Sequence, residues 1–141
     1  MILADSGFWI ALGNRRDRYH AAALRAAERY APQGFVTTWP VLTEVGHLLL
    51  ARVGVHQSVA FMHSVADGAC RVFELPEQAP QRAAELMARY RNLPMDVADA
   101  SLLIAAEELD EGRILSTDLR DFEGYRWKNT RPFENLLLPD G

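Results

Sequence analysis

Short apolar runs alternate along this chain with longer stretches in which apolar residues recur every three or four positions. Residues 2–4 form an apolar run that stops at Asp5, and Ser6-Gly7 opens a helix carrying Phe8, Trp9, Ile10 and Leu12. The polar stretch 14–18 ends it, and an alanine-rich helix follows over about residues 19–30. Pro32 and Gly34 punctuate the chain before a second strand at 35–37. Pro40 suits a first helical turn, and Val41, Val45, Leu48 and Leu49 then make a helical stripe. Gly54 interrupts it, and a further helix covers about 56–67. Residues 71–75 read as a third strand. The helix after it places Ala79, Ala83, Leu86, Met87 and Tyr90 on one face and Arg82, Glu85 and Arg89 on the other. Beyond Pro94, a helix from Asp96 to about Leu109 carries Ala98, Leu102, Ala105 and Ala106, and Gly112 marks its end. Residues 113–116 are a fourth strand, and Trp127 and Phe133 belong to a short last strand and its surroundings. Strands alternating with helices predict an α/β fold with a mostly parallel sheet of four or five strands between helices. Polar function in such folds gathers at the carboxyl ends of the strands.

A length of 141 residues suits one domain over 1–141. With 49% hydrophobic and 24% charged residues, disordered and low-complexity classes are excluded. No stretch approaches the roughly 18 apolar residues of a membrane span. The start of the chain lacks a basic leader, and Asp5 breaks its apolar run. Cys70 stands alone, so neither an intrachain disulfide nor an all-cysteine metal site can form. These features lead us to expect a cytoplasmic protein with no membrane partner. The net charge of −4 leaves no bulk positive field to pull the molecule onto nucleic acid. Lys128 is the one lysine among 15 basic residues. A biased genome composition accounts for that, although arginine also suits bidentate phosphate contacts.

The carboxylates change the picture. Asp5 ends the first strand, and Asp118 follows the fourth through Ser116-Thr117; each alone is what a helix cap requires. Glu44 borders the stripe of Val41 and Leu48, and Asp99 shares a helix side with Leu102 and Leu103. Glu107, Glu108, Asp110 and Glu111, by contrast, cluster as a solvated helix end. A carboxylate beside a core stripe needs a partner, because an unpaired buried charge costs several kcal/mol or shifts its pKa until it is neutral. Either arginines and backbone amides satisfy the four acids separately, or the acids share one site with cations between them. Hard divalent ions, Mg²⁺ or Mn²⁺, suit such a site, and two of them can clamp a phosphodiester. His20, His47, His56 and His63 are scattered, and neither a Ser/His/Asp order nor a glycine-rich phosphate loop is present. Trp9, Trp39 and Trp127 read as core and rim packing.

The order Ile2-Leu3-Ala4-Asp5-Ser6, Leu42-Thr43-Glu44-Val45, Asp99-Ala100, Ser116-Thr117-Asp118 and Asp121-Phe122 resembles a PIN domain. More narrowly, it is similar to the VapC toxins of bacterial toxin–antitoxin pairs. Asp17-Arg18-Tyr19-His20 before alanines and Leu93-Pro94-Met95-Asp96 agree with it, and the resemblance covers nearly the whole chain. It implies a Rossmann-like sheet between helices and a Mg²⁺- or Mn²⁺-dependent endoribonuclease that hydrolyses RNA phosphodiester bonds. A cognate antitoxin would hold it inactive, and it would form a homodimer. By position, Asp5, Glu44, Asp99 and Asp118 would be the catalytic, metal-binding acids. Asp99 is preferred to Asp96 because it directly precedes Ala100, whereas Asp96 stands where a helix cap is expected; Asp96 stays open as the alternative. Asp121 would either support the ligands or cap a short turn. Thr117 and Ser6 are hydroxyl partners for the carboxylates, with local turn bonding equally open for Ser6.

Arg15, Arg16, Arg120 and Arg126 are candidates for the RNA backbone, each equally readable as a solvated loop charge. An antitoxin helix would dock on the segment around 39–67, with Val55, Val59 and Phe61 exposed there. Two other functions remain open. One is a metal-dependent phosphohydrolase of small esters; the aspartyl-phosphate type needs a second Asp two residues after the first, where Gly7 stands. The other is a PIN-like binding module with purely structural acids.

Overall fold

The computed structural model describes residues 1–137. Its strands are β1 (Ile2–Ala4), β2 (Phe35–Thr38), β3 (Arg71–Phe73), β4 (Arg113–Leu115), β5 (Arg126–Trp127), β6 (Arg131–Pro132) and β7 (Glu134–Asn135). Five of them make one sheet in the order β3-β2-β1-β4-β7, and every pairing in it is parallel. Leu3 stands opposite both Val36 and Ile114, so β1 is the centre of the sheet. Ile2, Leu3 and Ala4 are wholly inaccessible, as a strand covered by helices on both faces must be. β5 and β6 form a separate antiparallel hairpin.

The helices are α1 (Ser6–Gly13), α2 (His20–Tyr30), α3 (Trp39–Arg52), α4 (Val55–Ala66), α5 (Ala79–Arg89), α6 (Val97–Leu109) and α7 (Leu119–Gly124). In α6 every residue from Ala100 to Ala106 is buried, the mark of a helix enclosed on all sides. It ends at Asp110, which takes the left-handed conformation at φ 54°. The expected stop at Gly112 therefore falls two residues late; aspartate tolerates that conformation as a single residue.

Two further expectations are corrected. Trp127 lies in the hairpin, and the fifth parallel strand is the polar pair Glu134–Asn135. The backbone bonds Glu134 N to Gly112 O and Leu136 N to Ile114 O, both 2.8 Å, pair it with β4, and the Asn135 side chain reinforces them: its Nδ2 donates to Ser116 O at 2.9 Å and its Oδ1 accepts from Ser116 N at 3.2 Å. Phe61 is buried rather than exposed, with its ring 5.9 Å from that of Trp9. It pins α4 onto an aromatic cluster with Phe8 and Phe35. Val55 and Val59 remain exposed, joined by Leu50, Val53 and Met62.

From β1 the chain passes to β2 on one side, while β4 lies on the other. The crevice beyond the carboxyl ends of β1 and β4 is thus the topological switch point, where such sheets bind ligands. Among the described residues no helix is long and apolar enough to cross a membrane.

Candidate metal centre

Asp5 leaves β1 as the cap of α1 and is only 4% exposed. Its Oδ1 accepts from Ser6 N at 2.7 Å, and its Oδ2 accepts from Ser116 Oγ at 2.8 Å. Ser116 Oγ in turn accepts from Asp118 N at 3.0 Å. One serine hydroxyl therefore fastens the exit of β4 to the carboxylate that ends β1. Close packing draws the two exits together as well. Gly7, in the first turn of α1, lies so near Thr117 that a Cβ would collide with its side chain.

The other acids arrive on helices. Glu44 sits in α3, and Ser6 Oγ hydrogen-bonds its Oε1 while lying 3.2 Å from Asp5 Oδ1. The single Ser6 proton is thus shared between two carboxylates. Asp96 caps α6, accepting from Asp99 N at 2.8 Å. Asp99 lies one turn into α6, and its Oδ2 accepts from Tyr125 Oη at 3.0 Å. Asp118 caps α7, accepting from Asp121 N at 3.3 Å. Asp99, Asp118 and Asp121 each offer a carboxylate oxygen, and these atoms all lie within 4.8 Å of one another.

The electrostatics are those of crowded like charges. Burial, with Glu44 adding repulsion, pushes Asp5 up to about 6. Burial, then the charges of Asp5, Asp96 and Asp118, push Asp99 up to about 8. Glu44 is raised by burial and by Asp96 beside it. Asp118 is raised by burial and by Asp121. Burial and the Asp99 carboxylate likewise raise the Tyr125 phenol. Among the described residues, no lysine or arginine lies within ion-pair distance of Asp5, Glu44, Asp96, Asp99 or Asp118. Separate arginine partners, open from the sequence, are not what the structure holds. The nearest cation is Arg120, whose Nε is 3.4 Å from Asp121 Oδ1 and whose side chain is 80% exposed.

Asp5, Glu44, Asp99 and Asp118 are thus brought to one place, with Asp96 beside Glu44. Asp121 is a full member of the oxygen cluster and only 9% exposed. Sequence reasoning missed Ser116 and Tyr125. A hydroxyl after a strand marks nothing special; a tyrosine in an apolar cluster does need a polar partner, but the sequence could not say which. Thr117 serves here through packing. Arg126 is committed to the chain's own carbonyls, donating to Glu123 O at 2.7 Å and Tyr125 O at 2.9 Å. Arg15 and Arg16 are exposed in the loop after α1, away from the acids. His20 donates from Nδ1 to Ala11 O at 2.6 Å and joins α2 to α1. Trp9 and Trp127 are buried, whereas Trp39 is 58% exposed.

The donor set consists of hard carboxylate oxygens without thiol or imidazole. It fits a hard divalent cation, whose charge would relieve the repulsion described above.

A family model described as the PIN domain matches residues 2–128. The chain is 25% identical over 125 residues to Ribonuclease VapC26 of Mycobacterium tuberculosis, spanning 89% of this chain and 92% of that protein. Its fold matches the crystal structure of M. tuberculosis VapC20, a sarcin–ricin loop cleaving toxin. That match has a TM-score of 0.76 and 24% identity, over 86% of this chain and 94% of that one. It also matches VapBC2 from Rickettsia felis, crystallised bound to a DNA fragment from its promoter. There the TM-score is 0.65 and the identity 14%, over 96% and 98% of the two chains.

Proposed function

The chain belongs to the PIN-domain family, and from that premise and its carboxylate cluster we propose that it is a Mg²⁺- or Mn²⁺-dependent endoribonuclease, the toxin of a VapBC-type pair. The observation that carries the reading is the convergence of Asp5, Glu44, Asp99, Asp118 and Asp121 at the switch point of the sheet, where among the described residues the one ion pair is that of the exposed Arg120 with Asp121. Such an array is unfavourable in itself and suits a cation-dependent site.

In this reading Asp5, Glu44, Asp99 and Asp118 would hold the metal, and Asp121 would offer a further oxygen. A bound divalent ion supplies Lewis-acid stabilisation of the charge that builds on the scissile phosphodiester. The protein's part is preorganisation. Ser116 fixes one oxygen of Asp5, Ser6 orients Glu44, and Tyr125 fixes one oxygen of Asp99. Asp99, raised by burial and by the acids around it, would have to be deprotonated to hold the cation. Arg120, exposed and paired with Asp121, would be the arginine of this site to meet a phosphate.

A ribonuclease of this kind would work in the cytoplasm, as a homodimer restrained by a cognate antitoxin. The exposed row Leu50, Val53, Val55, Val59 and Met62 on α3, α4 and the turn between them is the surface offered to an antitoxin helix. The test is cleavage of a single-stranded RNA. Cutting with Mn²⁺, none in EDTA and suppression on co-expression with the antitoxin is the expected outcome. Equal activity in EDTA, or in the toxin–antitoxin complex, would contradict it.

A further inference from the structure

A polar cavity of about 920 Å³ opens at the far end of α1, outside the carboxylate cluster. Asn14, Arg15, Arg16, His20, Arg52 and Gln57 line its polar side. Among the described residues, Arg15, Arg16 and Arg52 have no carboxylate within ion-pair distance. Three guanidinium groups without a direct ion pair around one concavity, with only Glu44 feeling the charge of Arg52 at longer range, are conspicuous in a protein of net charge −4. The loop that carries two of them is held by its own polar atoms. Asn14 Oδ1 accepts from Arg16 N at 3.0 Å, Asp17 N donates to Asn14 O at 3.0 Å, and Asp17 Oδ1 accepts from Tyr19 N at 2.9 Å. The loop's own carboxylate, Asp17, is thus bonded to a backbone amide and forms no ion pair with Arg15 or Arg16, whose side chains are exposed.

The cavity shares its scaffold with the acids. α1 starts at the Asp5 cap and reaches Gly13 after eight residues, about 12 Å at 1.5 Å per residue. Arg52 follows Glu44 by eight residues on α3, again about 12 Å. α1 packs against α3. Two packed helices thus each carry an acid of the centre at one point and lead to the arginine cavity about 12 Å further on.

We infer that this cavity is a second anionic-ligand site, in which Arg15, Arg16 and Arg52 grip the sugar–phosphate backbone of a single-stranded RNA to one side of the scissile bond. The inference rests on the ribonuclease reading and adds to it where the substrate runs. Guanidinium forks match phosphate oxygens bidentately. The amides of Asn14 and Gln57 are groups of the kind that meet phosphate and 2′-hydroxyl oxygens. Contacts of this kind position the strand without reading its bases.

The test is RNA binding in EDTA, where nothing is cleaved, by fluorescence anisotropy of a labelled single-stranded RNA over a range of salt. In the triple variant Arg15→Gln/Arg16→Gln/Arg52→Gln the Kd should rise about tenfold or more. The slope of log K against log salt should fall by about 0.7 per lost phosphate contact, so by about 2 for three. The corresponding triple Arg→Lys variant should recover most of the slope, and the rise in Tm on adding Mn²⁺ should be the same in all three proteins. RNA affinity and salt slope equal to wild type in the Gln variant would overturn the inference. So would unchanged RNA binding with weakened capture of the antitoxin, which would assign the cavity to an acidic protein segment. Because binding is read without metal, a protein that grips RNA through these arginines yet cuts none would contradict the nuclease reading and leave this site standing.

Discussion

Tyr125 is fully buried, its ring 5.1 Å from both Tyr90 and Phe122, and its phenol holds Asp99 Oδ2 at 3.0 Å. One oxygen of the carboxylate is thereby fixed and the other is left for a cation. Tyr125→Phe keeps the ring packing and removes the hydrogen bond. We expect Mn²⁺ affinity, read from the metal dependence of Tm, to drop about tenfold, with a stability loss of about 1 kcal/mol or less. Equal Mn²⁺ affinity would show that the Tyr125 hydroxyl does not position Asp99 for the metal. The raised carboxylates carry a pH signature too. Asp5 and Asp99 move from the ordinary 3.8 to about 6 and about 8 in the fold. Between pH 4 and 8 the folded state therefore binds more protons than the unfolded chain, so metal-free stability falls as pH rises through that window. Their favourable contribution is complete below about pH 4 and gone above about pH 8. Saturating Mn²⁺, which requires the deprotonated acids, should flatten or reverse the slope. Thermal melts from pH 5 to 8 with and without Mn²⁺ check this; a metal-free stability that climbs with pH would oppose it.

At the scale of elements, the centre depends on how closely α1 meets the turn after β4. Gly7 leaves no room for a Cβ against Thr117. Gly7→Ala should cost about 1–3 kcal/mol through overpacking and, by prising Asp118 from Asp5, reduce RNA cleavage more than the stability loss explains. Urea melts and initial rates together check that. Much of this arrangement is legible in the sequence because it follows from periodicity. The apolar runs of β1, β2 and β4 announce buried strands, and acids at the ends of β1 and β4 fall where a parallel sheet gathers its ligands. Glu44 and Asp99 stand out because they border apolar stripes. What is not legible comes from tertiary contact. The two-residue β7 is polar, and it is held by two backbone hydrogen bonds to β4 together with the amide of Asn135 on Ser116. The burial of Asp121 depends on α7, too short at six residues to show a period. Phe61 looks like the other apolar residues of α4 and is buried because Trp9 and Phe35 stand beneath it.

At the scale of the whole molecule, a protein of net charge −4 gathers its acids at the switch point of its sheet, the arrangement on which we base metal-dependent RNA cleavage. Asp99 and Asp96 are three residues apart and differ in place: Asp99 lies in the oxygen cluster, while Asp96 is exposed and caps α6. Asn at both positions keeps size, and asparagine is itself a good cap. The decisive measurement is Mn²⁺-dependent RNA cleavage by Asp99→Asn beside Asp96→Asn, with Tm recorded with and without metal. Asp99→Asn should lose on the order of a hundredfold or more in cleavage. It should hold or gain metal-free Tm, because one repelling charge is gone, and show a smaller rise with Mn²⁺. Asp96→Asn should cost about 1 kcal/mol or less and keep most of the activity. Normal cleavage by Asp99→Asn with loss in Asp96→Asn would move the site to Asp96, and normal cleavage by both would contradict the shared metal centre itself.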